Sequence, residues 1–145
     1  MRSLDARTQA LCHFFEHLQA QDVERLGDLY DDNAHFVDPF NDLWGLAHVR
    51  RVFVHMFDVL DDPRFTVIEA FTEGDQAMLT WDFHFKRRGN DKLWRIHGST
   101  HVRYGADGRV TLHRDYWDAA HELYAKLPVL GALMRWLRRQ LATPL

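Results

Sequence analysis

The chain has 145 residues, 46% of them apolar and 13% aromatic, which suffices for one domain with a core and a lined cavity. Its net charge of -3 leaves no basic footprint for nucleic acid, and the single cysteine, Cys12, excludes an intrachain disulfide. No apolar run has signal or membrane-spanning length, so the expectation is one cytoplasmic domain over residues 1–145, with no membrane partner.

The spacing of Leu4, Leu11, Phe14, Phe15 and Leu18 predicts a helix over 4–19, and Asp22 caps a shorter one carrying Val23, Leu26, Leu29 and Tyr30. The acidic run Tyr30-Asp31-Asp32-Asn33 then closes that helix. A short alternating strand, His35-Phe36-Val37, leads to Asp38-Pro39, where proline biases the aspartate toward extended backbone and fixes its side chain in place. Apolar positions at Leu46, Val49, Val52, Phe53, Met56, Phe57 and Leu60 predict a third helix, stopped by Asp61-Asp62-Pro63.

From Arg64 the period changes to two, and strands are expected over 64–73, 76–87, 92–104 and 109–117, joined by glycine-bearing turns. Helices follow from Asp118 to Lys126 and after Pro128, the last with Leu130, Leu133, Met134, Leu137 and Leu141 on one side and Arg135, Arg138 and Arg139 alongside. That final helix is read as a lid or packing element rather than a membrane-surface one.

Alternation places Trp81, Phe83 and Phe85 on the helix-facing side of the sheet. It adds Trp94, Ile96, Gly98, Thr100, Val102 and Tyr104, then Val110 and Leu112. The opposite face carries Asp82, His84, Arg95, His97, Ser99, His101, Arg103, Thr111 and His113. Asp115 falls with His113 on that wet face, and its reaching the cavity requires a bulge near Arg114.

Three N-terminal helices, an Asp-Pro strand between the second and third, and a hairpin sheet together resemble the nuclear transport factor 2 superfamily over essentially the whole chain. The resemblance implies an α+β, cone-shaped, cystatin-like fold whose helices pack on a curved antiparallel sheet around a pocket. Its members include ketosteroid isomerases, limonene epoxide hydrolases and SnoaL-like polyketide cyclases, as well as non-catalytic binding proteins. Within Tyr30-Asp31-Asp32-Asn33-Ala34-His35-Phe36-Val37-Asp38-Pro39, Asp38 matches the isomerase carboxylate that shuttles a proton between carbons. Phe14 stands where the isomerases carry a tyrosine donor, and Thr100 falls near their protonated aspartic acid. Thr111-Leu112-His113-Arg114-Asp115-Tyr116-Trp117-Asp118 resembles the last strand of the epoxide hydrolases, with Asp115 on their aspartate, while Trp81 and Phe83 occupy the other two polar positions of that triad.

The candidate catalytic residues are therefore Asp38, as general base, and Asp115, as acid or water-orienting group. Asp38 can equally cap the strand end, and Asp115 can pair with Arg114 or Arg103. The candidate pocket comprises Phe14, Tyr30, Trp44, Phe57, Trp81, Phe83, Trp94, Thr100 and Tyr116 around a small apolar ligand. His13 and His17 have metal-ligand spacing on one helix but no marked third ligand, so neither metal nor organic cofactor is expected. The resulting reading is an isomerase, cyclase or hydrolase, or alternatively a non-catalytic ligand-binding or interaction module. In the superfamily the outer sheet face commonly pairs two subunits, which implies a homodimer weakening below about pH 6 as interface histidines protonate.

Overall fold

The computed structural model describes residues 5–122 and 128–141. Its elements are α1 (Ala6–Glu16), a 3₁₀ helix (Ala20–Asp28), β1 (Tyr30–Val37), β2 (Asp42–Trp44), α2 (Leu46–Val59), β3 (Leu60–Glu73), β4 (Gln76–Arg87), β5 (Leu93–Tyr104), β6 (Val110–Tyr116), α3 (Ala119–Glu122) and α4 (Pro128–Leu141). Leu4, the stretch from Tyr124 to Lys126, and the side chains of Met134 and Arg138 lie outside the described residues. No helix among the described residues is long and apolar enough to cross a membrane.

The six strands form one sheet in the order β2-β1-β6-β5-β4-β3. β3 through β6 are antiparallel neighbours, as the hairpin turns require, but β1 runs parallel to β6. α1 and α2 pack over this sheet, and the space between them and the inner face becomes the cavity. Arg7 fastens the start of α1 to the β3–β4 turn: its guanidinium donates to Asp75 at 2.8 Å and to the Gly74 carbonyl at 2.9 Å, and stacks over the Tyr104 ring. Burial pushes the Cys12 thiol of α1 up to about 11.

Several boundaries differ from the expectation. The segment after α1 is a 3₁₀ helix capped by Gln19, and Asp22 acts three residues in, accepting from the Gln19 amide at 2.9 Å. Tyr30-Asp31-Asp32-Asn33 is strand, because Tyr30 pairs with Val110 and the sheet supplies backbone partners that a helix end lacks. After α2 the chain enters β3 at Leu60 rather than Arg64, and Pro63 is accommodated because β3 is an edge strand with a register shift between Asp61 and Arg64.

The most consequential difference lies in β6. Val110 pairs with Tyr104 and Leu112 with Arg103, so Thr111 is an extra residue, a bulge placed three residues before Arg114. Leu112 consequently leaves the inner face, and His113 and Asp115 join it.

Candidate active site

The inner face of β4 places Leu79, Trp81, Phe83, Phe85 and Arg87 in succession along a cavity of about 420 Å³. β5 adds Ile96 and Thr100, α1 adds Leu11 and Phe15, and α2 closes the opposite wall with Val52, Phe53, His55, Met56 and Val59. Phe40 and Trp117, edge to face at 5.5 Å, flank the end where Asp38 and Asp115 enter the lining. Such a site is apolar with a few convergent polar groups, the usual composition of a small-molecule cavity.

Those polar groups form one chain of hydrogen bonds. Trp81 Nε1 donates to Thr100 Oγ1 at 2.7 Å, and Thr100 passes its own hydrogen to Asp115 Oδ1 at 2.6 Å. His113 Nε2 lies 2.7 Å from the same Oδ1, and the Tyr30 hydroxyl lies 2.6 Å from His113 Nδ1. A carboxylate only accepts, so His113 donates through Nε2, and in the neutral ring that leaves Nδ1 to receive the Tyr30 hydrogen. Tyr30 is fully buried, and burial, reinforced by Asp115 and Tyr104, holds its phenol well above the ordinary tyrosine range. It is thus a permanent donor. Asp115 Oδ2 takes no hydrogen bond from any described residue and is accessible.

Asp38 is held differently. Its Oδ1 accepts from the backbone N–H groups of Phe40 at 2.8 Å and Asn41 at 2.7 Å, and the Asn41 side-chain amide donates to Oδ1 at 3.1 Å and Oδ2 at 3.2 Å. The carboxylate braces the turn between β1 and β2 while lining the cavity. Because Val37 pairs with Arg114 on the parallel strand, Asp38 and Asp115 follow side by side from adjacent strand ends.

Of the expected pocket residues, Trp81, Phe83 and Thr100 line the cavity. The others are elsewhere. Phe15, one position on from Phe14, faces inward, and Phe14 packs edge to face against it. Phe57 is partly buried against the core, and Trp94 lies behind Phe85 with Lys92 over its ring. Tyr30 sits beneath His113 rather than at the cavity surface. Trp44 is 64% exposed on the edge strand, stacked on His35 at 3.8 Å. Tyr116 points outward under Arg114, as it must when Asp115 points in.

Strict alternation puts His113 on the outer face, where the structure does not have it, and gives no signal for Phe40 and Trp117, which lie beyond regular strand. The His13 and His17 rings lie tilted against each other with centroids 4.2 Å apart, and His17 Nδ1 donates to the His13 carbonyl. No three His, Cys, Asp or Glu side chains among the described residues converge as metal ligands.

The architecture, a cone of helices on a curved sheet with polar groups at the end of an apolar cavity, defines the class. Residues 12–113 match the SnoaL-like domain family, and the chain belongs to it. The match stops two residues before Asp115. Among solved structures, a protein of ketosteroid isomerase-like fold from Catenulispora acidiphila DSM 44928, crystallised with trimethylamine, is 15% identical with a TM-score of 0.73, over 87% of this chain and 96% of its own. An epoxide hydrolase of M. tuberculosis, described as LEH-like, is 16% identical with a TM-score of 0.69, over 92% and 96%. A protein of Shewanella putrefaciens CN-32, assigned as a SnoaL-like polyketide cyclase, is 18% identical with a TM-score of 0.67, over 80% and 92%. At these identities the likeness is one of fold. No curated protein matches the chain in sequence.

Proposed function

We propose that the protein is an enzyme of proton transfer acting on a small, largely apolar substrate, with Asp115 as the base. One observation carries this reading: the buried chain Tyr30–His113–Asp115–Thr100–Trp81 orients a carboxylate at the cavity wall and leaves its Oδ2 without a partner among the described residues. Asp115 takes a proton from a carbon beside a carbonyl, against apolar walls that strengthen the charge interactions they surround. The enolate so formed needs a donor. Trp117 lines the cavity, and its Nε1–H, which has no acceptor among the described residues, is the donor proposed for that oxygen. Return of the proton to another carbon gives an isomerisation; attack of the enolate carbon on a second carbonyl of the same molecule gives a ring closure. Both outcomes agree with the SnoaL-like family, and neither calls on a metal or organic cofactor. Asp38, tied into its turn, is the second carboxylate of the site and orients the substrate.

The test is a thermal-shift screen against steroids, polyketide-like phenols, terpenoid epoxides and fatty acids, followed by turnover assays of wild type, Asp115→Asn and Asp38→Asn on each ligand found. Conversion that disappears in Asp115→Asn, with ligand binding retained, supports the proposal. Equal binding without conversion by the wild type favours a carrier or sensor, the reading to which the overwhelmingly apolar lining also lends itself.

A further inference from the structure

The inner stripe of β4 ends on a charge. Leu79, Trp81, Phe83 and Phe85 are followed at the next cavity-facing position by Arg87, and His55, exposed on the last turns of α2 five residues before the Leu60 that pairs with Arg87, lines the same cavity. Arg87 is exposed at the rim of the cavity and has no ion pair among the described residues, whereas its neighbour Arg88 lies 3.9 Å from Asp61. The two cavity carboxylates stand well away from it. Asp115 pairs with Thr100 and Thr100 with Leu79, while Arg87 pairs with Leu60 at the far end of the same strand. Eight residues separate those rows, on the order of 25 Å of strand contour at about 3.3 Å per residue. The cavity is thus polarised along its length: acid at one end, aromatic and aliphatic walls between, a cation and an imidazole at the other.

We infer that the substrate is an elongated amphiphile with an anionic group, a carboxylate or its equivalent, which binds at Arg87 and His55 while its apolar body lies along Trp81, Phe83 and Phe85. This rests on the cavity being the substrate site, as proposed above. Arg87 pairs with an anion in a planar fork, and His55 adds one ring N–H. Asp38 and Asp115 repel the same anion, so only one orientation is admitted, with the uncharged end of the molecule delivered to Asp115.

The test uses two fluorescent probes of nearly the same shape, the anionic 8-anilinonaphthalene-1-sulfonate and the neutral N-phenyl-1-naphthylamine, titrated into wild type, Arg87→Gln and His55→Gln. The anionic probe should bind about tenfold tighter than the neutral one and displace it, and Arg87→Gln should remove that preference while leaving the neutral probe unchanged. His55→Gln should weaken only the anionic probe. Equal affinity of the two probes for wild type, a preference that survives Arg87→Gln, or failure of one probe to displace the other overturns the inference and leaves the acid–base proposal standing. Failure of both probes to bind overturns the inference together with the cavity reading beneath it.

Discussion

His113 Nε2 stands 2.7 Å from Asp115 Oδ1, two residues along the same strand, and both side chains reach the cavity because the bulge at Thr111 has already been passed. In Asp115→Asn the amide oxygen can still accept from both Thr100 and His113, so folding should be little affected. The ability to take a proton is lost. Turnover of a substrate found by screening should fall by about 10² to 10⁴, the usual worth of a positioned acid–base group, with its thermal shift preserved. A variant retaining more than about half of wild-type turnover would assign the base elsewhere, with Asp38→Asn as the next variant to assay.

Tyr30 acts through His113. Its phenol stays protonated at any working pH, because burial, Asp115 and Tyr104 all oppose ionisation. Tyr30→Phe removes the hydrogen that His113 Nδ1 accepts and leaves a buried ring nitrogen unsatisfied. The expected cost is about 1–3 kcal/mol, a fall in Tm of roughly 2–4 °C per kcal/mol in a chain of this size. Differential scanning calorimetry measures it. A melting point unchanged within about 1 °C would mean that the bond contributes nothing net to stability.

How far the site was legible depended on where strand alternation was interrupted. On β4 nothing intervenes between Leu79 and Arg87, and parity correctly turned Trp81, Phe83 and Phe85 inward. On β6 the pattern Val110-Thr111-Leu112 looks like regular alternation, apolar-polar-apolar, yet Thr111 has no partner of its own, and every later side chain changes face. A bulge of this kind is set by pairing with a neighbouring strand, which hydropathy along one strand does not encode. The local pattern around Tyr30 suggests helix for a related reason: its strand partner is Val110, eighty residues away. The turn bond of Asp38 was within reach of the sequence, since an aspartate before proline with asparagine three residues on is a turn signal.

The outer face of the sheet carries a second prediction from sequence, pairing of two copies. Phe71 and Met78 face each other across β3 and β4 and are 43% and 40% exposed, and Tyr116 is 49% exposed on the same side. Around them lie Arg95, Arg103 and Arg114, with Asp82 accepting from His97 at 2.8 Å. Burial, then Arg103, holds His101 below its ordinary 6.5, so it is neutral at pH 7 and gains charge only as pH falls. A cation added to an arginine-bearing interface opposes association, so the dimer should be present at pH 8 and weaken below about pH 6. Sedimentation at pH 8 and pH 5 checks it; a monomer at pH 8, or an equally tight dimer at pH 5, counts against the arrangement.

Gly98 connects packing to the site. A Cβ at this position would lie 2.6 Å and 2.8 Å from the Cη2 and Cζ2 atoms of Trp81 and 3.0 Å from Trp117 Cβ. The absent side chain lets the Trp81 indole lie across β5, where its Nε1 reaches Thr100 Oγ1 at 2.7 Å. Gly98→Ala must push the rigid indole away, because β5 is held on both sides by β4 and β6. Overpacking of this kind costs about 1–3 kcal/mol, and the displaced indole no longer fixes the Thr100 hydroxyl that orients Asp115. The variant should therefore melt lower, alter the near-ultraviolet circular dichroism of its tryptophans, and lose turnover more than ligand affinity. Alanine tolerated with an unchanged melting point and spectrum would mean that the close approach at Gly98 does not hold Trp81 in place.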